Sequence, residues 1–211
     1  MVSMPVSDDA ATDRREVLYQ TERSKQEAME LSWSANAYLD CAGRLCNNLI
    51  DGHLVRSPHH CRVALHLAFL ALELWFKSAL AAVQCSYPAR HDLDGLRKLY
   101  NRVMPDIPLP IPSYLDDLIP RSGALFADAK APSLEQHFLR LRYPSDRHGR
   151  PYPDLQMLDL AVLAVELNRL SWEAQKVQLK IWVKCGWLTP QKEDEERLDA
   201  IYRRPFPPGV Q

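Results

Sequence analysis

The segment Arg140 to Arg150 (RLRYPSDRHGR) gathers four Arg against one Asp, a net charge of +3 before His148 is counted. A guanidinium is a permanently charged, planar donor that matches phosphate oxygens, so Arg140, Arg142, Arg147 and Arg150 form a candidate phosphate-binding group. The patch is local. The whole chain of 211 residues carries a formal net charge of -1, which weakens the picture of a generally basic nucleic-acid binder. A compensating acidic run, Gln191 to Asp199 (QKEDEERLD), is net -3.

Other chemistry-bearing side chains are sparser. Glu73 and Lys77 sit in an otherwise apolar stretch at spacing i, i+4, which lets them pair on one helix face. A salt bridge from Glu73 to Arg142 is the alternative; either role makes Glu73 and Lys77 structural supports. His53, His59, His60, Cys61 and His66 cluster without a zinc-ligand spacing, so they read as solvated or helix-cap residues and no metal is expected. The five Trp (33, 75, 172, 182 and 187) read as core or dimer interface before base-stacking platform. No Gly-rich phosphate loop, G-x-S-x-G or HExxH is present, which sets aside P-loop, α/β-hydrolase and zincin chemistry, and no cofactor is expected.

The elements that must hold these residues follow from the prolines. The chain has 16 Pro and only 7 Gly, the reverse of the usual balance of about 5% and about 7%. Few Gly argues against sandwiches and hairpin-rich folds, and Pro cannot sit inside a helix. Three long windows lack Pro: 6–57, 59–87 and 154–189. In the first, Ala28, Leu31, Ala35, Tyr38, Ala42, Leu45 and Leu49 step by three and four along one helix face. The polar stretch before Ala28 is expected to project or fray, and Gly43 to mark a close helix crossing. The second opens with Ser57-Pro58, a capping hydroxyl before a Pro at the first helical position. It is apolar nearly all round, so it belongs at the centre of a bundle or under a second chain. In the third, Leu160, Leu163, Leu167, Leu170, Ala174, Val177 and Ile181 form a seam for near-parallel or antiparallel packing. Its end, VQLKIWVK, also alternates with period two, so a short strand competes there until Gly186.

Shorter pieces connect these. A helix capped by Asp92 should run to about Met104 and bury Leu93, Leu96 and Leu99 or Tyr100. The Pro-rich PDIPLPIPSYLDDLIP should be extended around one helical turn at Ser113 to Leu118. Further short helices are expected from Ser133 to about Leu141 and after Thr189-Pro190, followed by an extended or disordered tail. The stretch Val63 to Val83 has the length of a membrane span, but His66, Glu73 and Lys77 favour a buried helix, so no membrane partner is expected. MVSMPVSDDA has no basic n-region or apolar h-region, and the five Cys form no CxxC pair, which together point to reduced thiols in the cytoplasm.

The stretch ALELWFKSALAAVQCSYPARHDLDGLRKLY and the LRYP at Leu141 to Pro144 resemble the higher-eukaryote-and-prokaryote nucleotide-binding (HEPN) superfamily. The likeness covers roughly Ala35 to Lys184. Its carriers are A-L-E-x-x-x-K-x-x-L in one helix and H-x-L-x-x-L after it. It implies an all-α HEPN-like bundle: a polar N-terminal helical extension over 1–27, the bundle over 28–188, and a C-terminal helix and tail over 189–211. It also implies a homodimer that binds RNA or nucleotide in a bacterial defence or toxin-antitoxin system, with a nucleotidyltransferase-like antitoxin or other defence partner. Many members are metal-independent endoribonucleases that use Arg, four to six residues, then His. Arg142 and His148 fit that spacing, which implies catalytic roles for both and a 2′,3′-cyclic phosphate product. Arg140, Arg147 and Arg150 would then assist phosphate binding. Here Tyr143-Pro144 follows Arg142, where active members usually place a polar residue. The alternative therefore stays open that the chain is a non-catalytic HEPN interaction module docking onto a partner.

Overall fold

The computed structural model describes residues 9–54, 57–84, 87, 89, 93–118 and 159–188. Among the described residues the fold is all-α, with no strand. Its helices are α1 (Asp9–Ile50), α2 (Pro58–Ala82), α3 (Leu93–Val103), α4 (Ser113–Leu118) and α5 (Leu160–Lys184). The three Pro-free windows are the three long helices. The expected Asp92 cap, the helices at 133–141 and after Thr189-Pro190, and the tail lie outside the described residues.

Helices α1 and α2 form an antiparallel hairpin. The hydroxyl of Ser78, near the end of α2, donates to the Ala28 carbonyl at 2.6 Å, and the α2 start follows the α1 end through a short turn. Ser57 caps α2 as its composition predicts: its Oγ accepts from the His60 N–H at 3.3 Å, with Pro58 in the first turn. Helix α5 lies against both, antiparallel to α1 and parallel to α2. Its Asn168 meets α1 at Gly43, and Cys185 just beyond its end places Sγ 3.3 Å from the Ala82 carbonyl of α2.

Most of the apolar girth of α2 is buried within this one chain, while Val63 stays exposed. Ala64, Leu65, Ala68, Phe69, Leu72, Trp75, Phe76 and Leu80 are all buried between α1, α3 and α5. It is the one described helix long and apolar enough to cross a membrane, and most of it is buried inside the protein. On its far side Tyr100 of α3 packs edge-on to Trp75 (ring centroids 5.4 Å, 73°) and tilted against Phe76 (5.4 Å, 54°). The Tyr100 hydroxyl donates to the Ile107 carbonyl, which folds the Pro-rich connection back under α3. Leu93, Leu96 and Tyr100 are the buried face of α3.

Two expectations need correction. The fully buried stripe of α1 is Ala28, Ser32, Ala35, Leu39, Ala42, Cys46 and Leu49, while Leu31, Tyr38 and Leu45 are only half-buried beside it. Small residues on this line let the helix approach two neighbours at once, and the larger side chains fill the grooves at its edges. The period-two reading of VQLKIWVK also fails. The segment is helix to Lys184, Val177 and Ile181 are buried, and the helix ends in a Schellman arrangement. There the Trp187 N–H donates to the Trp182 carbonyl (2.9 Å) and the Gly186 N–H to that of Val183 (3.0 Å). That motif needs a left-handed residue, which Gly186 provides at φ 70°. The polar stretch before Ala28 is regular helix from Asp9. Glu, Arg, Gln, Lys and Ala are strong helix formers, and this outweighs the missing apolar stripe.

Gly43 does mark a crossing, and its geometry decides what fits. A Cβ there would stand 3.4 Å from Asn168 Oδ1, an ordinary contact. Gly43→Ala is therefore expected to leave stability unchanged or raise it by up to about 1 kcal/mol through helix propensity. Gly43→Leu should destabilise by about 2 kcal/mol through overpacking. Urea unfolding of the two variants checks the contrast.

Candidate functional site

The sequence-predicted site residues divide into two groups. Arg140, Arg142, Arg147, His148 and Arg150 lie outside the described residues, in the chain between α4 and α5. Glu73 and Lys77 are described, and both are on α2.

The pair is formed. Lys77 Nζ donates to Glu73 Oε1 at 2.7 Å, with side-chain exposures of 11% and 1%. At such burial neither group is open to a polymeric substrate, and their contact is the i, i+4 pairing that the sequence allows. The ammonium also faces the ring of Tyr87 at 5.8 Å from its centroid, and the Tyr87 hydroxyl donates to Glu27 Oε1 of α1 at 2.5 Å. Burial first, then the hydrogen bond to Glu27 and its negative charge, pushes the Tyr87 phenol well above its ordinary range, keeping it a donor. The result is a polar chain from the interior of α2 through the segment after it to the surface of α1. Nothing in the sequence announces it, because Tyr87 and Glu27 stand sixty residues apart.

A second set of polar ties frames the entry and exit of the chain between α4 and α5. Glu166 of α5 accepts from the Tyr114 and Leu115 N–H groups at 3.1 and 2.8 Å, so an α5 carboxylate caps α4. Tyr114 returns the tie: its hydroxyl accepts from the Asp159 N–H at 3.0 Å. Asp159 in turn caps α5 by accepting from the Ala161 and Val162 N–H groups, both at 3.1 Å. Arg97 of α3 grips Asp116 of α4 with both of its terminal nitrogens. The two ends of the connection carrying Arg140 to Arg150 are thus anchored on one rigid corner of the bundle.

Among the described residues no group of His, Cys, Asp or Glu has the arrangement of a metal site. His60 instead serves the α2 cap, its Nδ1 lying 3.0 Å from Ser57 Oγ. Cysteine chemistry is equally quiet in the core: burial, with Cys61 nearby adding to it, pushes the Cys46 thiol up to about 12. A thiol held protonated is a poor nucleophile.

On the surface, the feature that sequence reading missed is a cavity of ≈ 500 Å³ along the middle of α1. Met29 and Trp33 line it together with Arg23, Lys25 and Glu30. Trp33 is 59% exposed, whereas Trp75 is buried and Trp172, Trp182 and Trp187 are half-buried. Composition alone could not sort the five.

No protein-family model, curated protein or solved structure matches the chain.

Removing one member of the Glu73–Lys77 pair leaves the other charge without its helix partner. Glu73→Leu is expected to cost about 3 kcal/mol of stability. Adding Lys77→Met should recover at least about 1 kcal/mol of that loss, the coupling that a double-mutant cycle in denaturant reads out.

Proposed function

We propose that this chain is a HEPN-like protein that binds RNA as a homodimer, in a bacterial defence or toxin-antitoxin setting. In this reading Arg140, Arg142, Arg147 and Arg150 contact the phosphate backbone. The observation that carries the reading is charge placement: a +3 segment in a chain of net charge -1, between α4 and α5, whose ends are tied together. The residues that carry the family resemblance add support at the level of the fold. Glu73 and Lys77 are the buried pair of α2, and Leu93 and Leu96 are the buried face of α3. Such residues build a scaffold; function must come from the site grafted on it.

The catalytic form of the reading assigns His148 and Arg142 to metal-independent cleavage. His148 takes the proton of a ribose 2′-hydroxyl, and the 2′-oxygen attacks the adjacent phosphorus. The 5′-oxygen leaves with a proton taken from water, His148 later returning its own proton to solvent, giving a 2′,3′-cyclic phosphate and a 5′-hydroxyl. Arg142 stabilises the charge that develops on the phosphoryl oxygens. A partner-docking module is the second reading, and the exposed Trp33 with its cavity favours it.

One set of assays separates them. Four phosphate contacts on single-stranded RNA give a salt slope near -2.8, so raising salt from about 50 to 200 mM should weaken binding roughly fifty-fold. With EDTA present, cleavage that His148→Ala abolishes while binding persists supports the catalytic form. Binding without cleavage removes the catalytic form and leaves the binding one. Weak binding with a shallow salt dependence overturns the RNA reading and favours the docking module.

A further inference from the structure

Among the described residues, α1 is longer than the helices packed against it. The end of α2 meets α1 at Ala28 and the Tyr87 hydroxyl meets it at Glu27, so α1 runs on past those contacts for roughly five turns at 3.6 residues per turn. Glu22, Gln26, Met29 and Trp33 step by four, three and four along a face distinct from the buried line through Ala28, Ser32 and Ala35. This is the spacing of a helix-packing seam, with Met29 and Trp33 as its apolar members. Its most apolar member, Trp33, is 59% exposed, an unusual setting for the largest apolar side chain. All four seam residues line the cavity of ≈ 500 Å³.

We propose that this face of α1 pairs antiparallel with the same face of a second copy, about a twofold axis between Glu27 and Ala28. The proposal rests on the homodimer of the functional reading and says which surface makes it. The charges name the occupant. With the axis so placed, Gln26 lies opposite Met29 of the second copy and Glu22 opposite its Trp33. On one edge of the seam Arg23 comes beside the second copy's Glu30, and symmetry repeats that contact. Both Arg23 and Glu30 are exposed, and both line the cavity. The opposite edge, beyond Lys25, adjoins the buried line at Ser32, which is packed inside the bundle. The indole of Trp33 would be covered by the Glu22 stem and Gln26, and the acidic and basic rim would be paired. A helix with a uniformly basic or acidic rim would have pointed to a partner of opposite charge; this rim complements itself.

Sedimentation equilibrium on the full chain tests the proposal with four variants. Arg23→Glu places like charges together twice and should raise the dimer dissociation constant roughly tenfold or more. Glu30→Arg should do the same. The double exchange Arg23→Glu/Glu30→Arg should return the constant to within about threefold of the parent, and Trp33→Ala should weaken dimerisation at least as much as one charge reversal. Helical circular dichroism and the melting temperature of each variant confirm folding. A parent chain that stays monomeric overturns the surface, as does a dimer indifferent to Arg23→Glu and Trp33→Ala, or a double exchange that fails to restore pairing. RNA binding is read separately by its salt slope. A dimer that pairs through α1 yet ignores RNA rejects the functional reading alone, and RNA binding by a chain that dimerises elsewhere rejects this surface alone.

Discussion

The rest of the structure depends on keeping α2 dry. A helix apolar around nearly its whole circumference cannot be left at a surface, so neighbours must be brought to it from both directions along the chain. Helix α1 comes from before it, α3 and α5 from after it. The cost is that α2 also carries Glu73 and Lys77, and a buried charge without a partner is worth several kcal/mol of destabilisation. Their direct pairing at 2.7 Å, with the Tyr87 ring beside the ammonium, lets the helix remain central. Breaking either requirement, the apolar cover or the charge match, would expose the core.

Once α2 is sealed, the other ties have a common purpose. Ser78 to the Ala28 carbonyl and Tyr87 to Glu27 set the register of the α1–α2 hairpin. Glu166, Tyr114 and Asp159 cap each other's helices across the α4–α5 junction. Arg97 and Asp116 hold α3 to α4. These polar contacts sit around the core and fix where chain segments enter and leave it. They make a firm corner from which the segment with the four Arg departs and to which it returns.

The scaffold was legible in the sequence because its signals are local. Pro-free windows, the Ser57-Pro58 start, the seven-residue seam of α5 and the single turn at Ser113 to Leu118 each depend on residues a few positions apart. The α1 stripe was harder. Leu31, Tyr38 and Leu45 outrank Ser32, Leu39 and Cys46 in combined bulk and apolarity, yet close approach of two neighbours selects the smaller line. The tail of α5 misled through a coincidence of periods that Gly186 alone could not settle. Contacts such as Tyr87 to Glu27, or Glu166 to α4, join residues fifty or more positions apart and leave no pattern to read. The same holds for Trp33: its type is visible in the sequence, its exposure is not. For the candidate site, the Arg cluster and the Arg142–His148 spacing are visible as residue types, while their placement in space lies beyond any local rule.

The central claim is that α2 is the last element to lose its structure, because α1, α3 and α5 are packed around it. Native-state hydrogen exchange tests this most directly. Amides of α2 from Ala64 to Leu80 should exchange only through global unfolding, with the same free energy that denaturant titration gives, while the first turns of α1 exchange through local opening. Exchange of the α2 amides at free energies well below the global value, or ahead of those in α1 from Ala35 to Leu49, would contradict the account.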